Sequence, residues 1–175
     1  MLLARRRGAD PYANTEFGWY GADPVFQILL ERDRHAIEDI EGPVQRWLEA
    51  DALTYRVPGL RVPGDKAAHD LRIEFRNGAL GAWAAGIAPC DYPTVFTSVR
   101  RPRKHENGDG SLCLWASYDP PERRWWHGDG LRSLIEIVRR HLLLELHWFV
   151  TGGRKGGVWA VEDAPHGTPD VVALR

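Results

Sequence analysis

The stretch Arg101-Pro102-Arg103-Lys104-His105-Glu106-Asn107-Gly108-Asp109-Gly110-Ser111-Leu112-Cys113-Leu114-Trp115 decides how the rest of this chain is read. A basic lead-in passes into a polar, glycine-rich loop, and the loop runs into a cysteine set between two leucines. Cysteine is the strongest nucleophile among ordinary side chains because part of it is thiolate near neutral pH. His105 and Asn107 stand a few residues upstream, across flexible glycines, where they can fold back over the sulfur. Leu112-Cys113-Leu114 taken by itself has the plainer meaning of a small buried core residue. Nowhere else in the sequence do a nucleophile, hydrogen-bond donors and a glycine loop converge.

On the C-terminal side, Asp119-Pro120-Pro121 is a rigid bend. From Gly130 the apolar residues recur at helical period. Leu131, Leu134, Ile135, Val138, Leu142 and Leu146 share one face, with Arg132, Arg139 and Arg140 off it. Asp129 is placed to cap this helix and Gly152-Gly153 to end it.

On the N-terminal side the signals are those of strands. Leu71, Ile73 and Phe75 alternate with Arg72, Glu74 and Arg76; Asn77-Gly78 predicts a hairpin turn into a returning strand over 79–87. A turn from Pro89 to Pro93 follows, and 94–99 reads as the next strand. Leu53, Tyr55 and Val57 alternate one strand earlier, with Pro58-Gly59 and Pro63-Gly64 as turns. Consecutive strands on short turns predict an antiparallel meander of four. Asp23-Pro24 opens an earlier helix with the apolar stripe Val25, Ile28, Leu29, Ala36, Ile37 and Ile40, and Gly42-Pro43 closes it. Residues 44–50 read as a further short helical piece. The fold class that follows is α+β. Residues 1–22, rich in Gly, Ala and Arg, read as an N-terminal arm, and 23–175 as a single domain.

Composition bounds the function. With 43% hydrophobic and 27% charged residues the chain is globular rather than disordered, and eight tryptophans promise aromatic anchors in a core or at a partner surface. A formal net charge of −1 supplies no basic field, so direct nucleic-acid binding is not expected. Basic runs are local, at Arg5-Arg6-Arg7 and from Arg100 to Lys104; the second leads into the cysteine loop, where it favours a thiolate or an acidic partner. Neither a bilayer-length apolar run nor a secretory signal pattern is present, which predicts a cytoplasmic protein with Cys90 and Cys113 reduced. Two cysteines without a CxxC make no structural zinc site, and His105-Glu106-Asn107-Gly108-Asp109-Gly110 lacks the ordered acidic positions of a calcium loop. Neither a metal nor a cofactor is expected. Cys90, in a turn, reads as structural.

In this order the features resemble the ubiquitin-conjugating-enzyme family, and within it the compact bacterial members. That family has a Tyr-Pro turn before its last strand, matched by Tyr92-Pro93, and a His-Pro-Asn tripeptide, matched by His105-Glu106-Asn107. It has a Gly-x-Ile-Cys-Leu segment, matched by Gly110-Ser111-Leu112-Cys113-Leu114, and a tryptophan before a crossover helix, matched by Trp125 or Trp126. The resemblance covers roughly residues 70–150. Glu106 stands where the family has proline, and the gap from Asn107 to Cys113 is shorter than in eukaryotic members.

The resemblance implies a ubiquitin-conjugating-like fold, a four-stranded meander with an N-terminal helix and a crossover helix after the active-site loop. It implies that Cys113 carries an acyl group as a thioester and passes it to an amine of a target protein. Asn107 would then support an oxyanion or the loop, and His105 would brace the loop. His127 and Asp129 lie where the family places groups that orient or deprotonate the amine. The implied partners are an acyl donor (a ubiquitin-like protein or a target's C-terminus) and an acceptor protein; no nucleotide-binding glycine loop is present here, so the acyl group either is activated by a separate enzyme or is taken directly from a target. Ala164-Pro165-His166-Gly167 resembles the endings of bacterial members similar to proteins encoded in antiphage operons beside a cyclic-oligonucleotide synthase. That implies a role in antiviral defence acting on a nucleotidyltransferase.

The residues themselves leave each role open. Asn107 can donate to an oxyanion, or hold the loop by side-chain bonds. Asp129 can orient an amine or merely cap its helix, and His127 beside Gly128 can be an exposed loop residue. Arg100, Arg101, Arg103 and Lys104 lower the thiol's pKa only if the loop brings them to it. A cysteine hydrolase would pair Cys113 with His105, His127 or His166 and pass the acyl group to water. In a non-catalytic binding module Cys113 would be incidental.

Overall fold

The alternation around Leu71, Ile73 and Phe75 builds the centre of the sheet, because period two sends all three to one side, where they are buried. The computed structural model describes residues 24–48, 52–76, 93–115, 125 and 129–161. Helix α1 (Pro24–Glu41) is followed by strands β1 (Gln45–Leu48), β2 (Ala52–Arg61), β3 (Ala68–Arg76) and β4 (Thr94–Thr97). Helix α2 (Gly130–Val150) and a 3-10 turn (Gly153–Lys155) complete the order. Among the described residues the strands form one open antiparallel sheet in the order β1-β2-β3-β4, so the fold is α+β with a four-stranded antiparallel sheet and two helices. Its central register aligns Tyr55 with Ile73 and Ile73 with Val95, and one continuous core joins this row to Leu30 and Ile37 of α1 and to Leu134 and Val138 of α2. Among the described residues no helix is long and apolar enough to cross a membrane.

The sheet differs from expectation at its margins. Of the segment expected as helix over 44–50, Gln45–Leu48 is strand β1. So short a piece is below the length at which a helix sustains itself, and the edge of β2 offers backbone partners instead. Glu38 Oε1 takes the Val44 N–H at 3.1 Å and turns the chain out of α1. Pro58-Gly59 is not a turn but lies within β2. Proline has no N–H to give the ladder, so the register shifts between Val57 and Leu60, and Asp70 Oδ1 takes the Gly59 N–H at 3.0 Å. Pro63-Gly64 does turn. The Asn77-Gly78 turn and the strand expected over 79–87 lie outside the described residues; the described neighbour of β3 on that side is β4, which is shorter than the expected 94–99.

The helices also divide. In α2 the buried residues include Leu131, Leu134, Ile135, Val138 and Leu142, as the periodicity predicts. In α1 the core face is Leu30, Asp33 and Ile37, whereas Ile28 and Ile40 of the expected stripe are exposed. Asp33 belongs on that face because its Oδ2 accepts the Arg132 N–H of α2 at 3.2 Å. One helix thus supplies the N-terminal cap of the other. Asp129 occupies the N-cap position but its side chain makes no capping bond, so the expectation of an Asp129 cap is corrected. Gly130, at φ +77°, leaves room for the visiting carboxylate, since a Cβ there would overlap Asp33 Oδ2. Its carbonyl accepts the indole N–H of fully buried Trp125 at 2.9 Å.

Candidate functional site

The loop between β4 and α2 closes on itself as a small hairpin that ends at Cys113. Glu106 and Leu112 form an antiparallel bridge. Asn107 N–H donates to the Ser111 carbonyl at 2.9 Å, and Cys113 N–H to the His105 carbonyl at 3.2 Å. Gly110 N–H returns to the Asn107 carbonyl at 2.9 Å, and Gly110 takes φ +82°, which favours glycine. Side chains fill the turn. Asp109 Oδ1 accepts both the N–H and the hydroxyl of Ser111, at 2.9 and 2.6 Å. Asn107 Nδ2 donates to Ser111 Oγ at 2.9 Å and to the Leu112 carbonyl at 3.3 Å. Of its two possible tasks, the one visible in the geometry is holding the loop.

The hairpin is then fastened to the body. Leu112 N–H donates to the Val95 carbonyl of β4 at 2.8 Å, and the Leu112 side chain is buried in the core. Cys113, the next residue, is a half-buried thiol. At the loop's start, Arg101 pairs with Asp65, and Arg103 Nη2 donates to the Val99 carbonyl at 2.6 Å. Those two cations of the basic run are engaged in holding the lead-in. Burial pulls the Arg103 guanidinium pKa down, against Glu106 and Glu145.

Two polar centres missed in the sequence reading support this loop. The first is Glu145 on the core face of α2, only 2% exposed. Its Oε2 accepts the Lys104 N–H at 2.9 Å and its Oε1 the His105 N–H at 2.7 Å. Burial pushes its carboxyl above the usual range, against those two bonds and Arg103. His141, one turn earlier, places Nε2 3.8 Å from Oε1. The buried His105 ring packs on Trp159 at 4.5 Å and edge-on to His141 at 6.2 Å between centroids. Trp159 is brought back by the turn after α2, where Thr151 Oγ1 takes the Val158 N–H at 2.8 Å. A carboxylate at a helix position that periodicity assigns to the core was the available signal for Glu145.

The second centre is Asp65, His69 and Thr97. His69, 1% exposed, lies 3.0 Å from Asp65 Oδ2 through Nε2 and 3.0 Å from Thr97 Oγ1 through Nδ1. Burial lowers the His69 pKa, which favours the neutral ring; a proton on Nε2 facing Asp65 would leave Nδ1 to accept from the threonine hydroxyl. Burial pushes Asp65 up, but the Ala67 N–H, His69 and Arg101 together hold it below the usual range. This network ties the β2–β3 turn, β4 and Arg101 into one unit. No sequence spacing announces it, since its members come from three segments.

The structure therefore brings His105, Asn107 and Cys113 into one loop and sets Asp129 half-buried at the start of α2. His127, His166, Cys90 and Tyr92 lie outside the described residues. The loop's tip, Asp109-Gly110, borders an open cleft of about 480 Å³ that Arg56, Arg72, Phe96 and Arg100 also line. There Arg56 pairs with Asp70 at 3.1 Å, and Arg72 lies 4.0 Å over the Phe96 ring. Among the described residues no group of three or more His, Cys, Asp or Glu side chains is placed to hold a metal ion. Chemically, the arrangement offers a thiol at the end of a braced loop whose tip borders the arginine-lined cleft. In comparisons with family models, curated proteins and solved structures, the chain matches none.

Proposed function

We propose that this protein is a ubiquitin-conjugating-like acyl carrier that forms a thioester on Cys113 and delivers the acyl group to an amine of a target protein. The observation that carries the reading is the placement of Cys113: a half-buried thiol directly after a core-anchored leucine, on a loop fixed by backbone bonds at both arms. Exchange between thioesters is nearly isoenergetic, so the carrier needs access and orientation more than a strong base. The thiolate attacks the donor's thioester carbonyl, a new C–S bond forms, and the donor's thiol leaves. An acceptor amine then attacks, a C–N bond replaces the C–S bond, and the thiol is regenerated as the amine gives its proton to a base. His127 and Asp129, beyond the cysteine in sequence, are our candidates for orienting that amine or taking the proton.

The donor in this reading is a ubiquitin-like protein or the C-terminus of the target, either activated by a separate enzyme or taken directly from the target. In the cleft beside the loop tip Arg56 and Arg72 already pair with Asp70 and Glu74, so a contact with an acidic segment of such a partner would fall to Arg100. The resemblance of the loop and C-terminal motifs extends the proposal to antiviral defence in bacteria, with a nucleotidyltransferase as acceptor.

Intact-mass measurement tests the chemistry. The protein is coexpressed with the products of neighbouring genes, as wild type, Cys113→Ala and Cys113→Ser, and analysed with and without reductant. A reducible adduct is expected on the wild type, none on Cys113→Ala, and a thiol-resistant one on Cys113→Ser. If no adduct forms while Cys113→Ala leaves folding and partner binding unchanged, the chain is a binding module.

A further inference from the structure

A carboxylate sealed between a helix and the loop packed on it ordinarily costs stability unless its oxygens are satisfied. Glu145 spends its two oxygens on neighbouring backbone amides, both in the lead-in to the cysteine hairpin. The peptide that follows carries the connection onward: the carbonyl of His105 accepts the N–H of Cys113 at 3.2 Å. One residue therefore receives Glu145 on its amide side and holds Cys113 on its carbonyl side. His105's ring, packed against Trp159 and His141, keeps that residue from rotating.

We propose that Glu145 is a positioning residue for Cys113, setting the height and orientation of the thiol through the His105 backbone from a helix position more than thirty residues beyond it in sequence. Its importance for acyl transfer rests on the thioester reading; its control of the loop does not. Helix α2 is packed on the core from Gly130 to Trp148, so it gives the loop a reference that a hairpin of this size does not possess by itself. Around the carboxylate stand Arg103, Lys104, His105 and Glu106 of the loop and His141 of its own helix.

Hydrogen exchange at single amides tests this in Glu145→Gln, which keeps the shape but leaves one accepting oxygen. The amides of His105 and Cys113 are expected to exchange about tenfold to a hundredfold faster, the factor of one charge-assisted hydrogen bond. The Val138 amide in the same sample should be unchanged. Equal acceleration at Val138, or unaltered protection at Cys113, overturns the proposal. Should the variant not fold, the wild type decides: the His105 and Cys113 amide proton shifts should follow the titration of the Glu145 carboxyl carbon with one midpoint. Separate midpoints overturn it. Neither measurement needs an acyl donor, so failure to form a thioester would leave this result standing.

Discussion

Replacing Asn107 by alanine separates two tasks that one amide can perform. In the folded protein its Nδ2 gives one well-formed bond to Ser111 Oγ at 2.9 Å and one longer bond to the Leu112 carbonyl at 3.3 Å. Each is worth about 0.5–1.5 kcal/mol net, and Asn107 is exposed, so water replaces part of what is lost. The loop should therefore open more easily by about 1–2 kcal/mol, a factor of roughly 5–30 in its open population. Exchange at the Ser111 and Cys113 amides reads that factor directly. The rate of reducible adduct formation in Asn107→Ala should fall by a similar factor, because a thiol held in place less often reacts less often. An oxyanion donor behaves differently: its loss costs roughly 100- to 1,000-fold in rate and leaves the resting loop untouched. A loss of that size with unchanged exchange at Ser111 and Cys113 would refute the loop-holding argument and return Asn107 to the transition state.

Gly130→Ala should destabilise the fold by about 2–4 kcal/mol, combining about 1–2 for a side chain at positive φ with about 1–2 for expelling the Asp33 cap. For a chain of this size that is a fall of roughly 5–15 °C in Tm by thermal denaturation, and an unchanged Tm would mean the cap contributes nothing. The pH dependence follows from His69. Its folded pKa lies below the reference 6.5, so the unfolded chain binds more protons there and stability falls as pH drops below 6.5. Asp65, held below its reference 3.8, adds a further loss as pH falls through its folded pKa. Glu145 acts in the opposite sense: its raised carboxyl removes stability as pH rises from its reference 4.5 through the folded value. Subtracting denaturation curves of His69→Gln from wild type isolates the first effect; a difference independent of pH across about 5 to 7 would contradict it.

The two ends of the chain's logic were unequally legible. Helix α2 and the strand around Ile73 could be read at sight, because burial imposes its period on every residue of such elements. Strand β1 could not, since Gln45–Leu48 owes its conformation to the edge of β2 and not to its own four residues. The stripe of α1 misled for a related reason: the position a hydrophobe would fill is held by Asp33, placed there by the needs of another helix. At the site, the sequence announces the thiol and its hairpin, whose bonds span only a few residues. Glu145 meets His105 across 40 positions, and His69 meets Thr97 across 28; contacts of that kind leave no periodic trace.

The bond from Leu112 to Val95 has a consequence beyond holding the cysteine. Among the described residues β4 is the last strand of an open sheet, and its carbonyl at Val95 is taken by the loop. An open strand border can pair with other chains, and this loop covers one bonding position of that border while it also holds the cysteine. The two duties constrain one another. A change that sets the loop swinging widely to admit a bulky partner also bares a strand to its neighbours, and the protein's colloidal behaviour, not only its chemistry, limits how far that mount can travel.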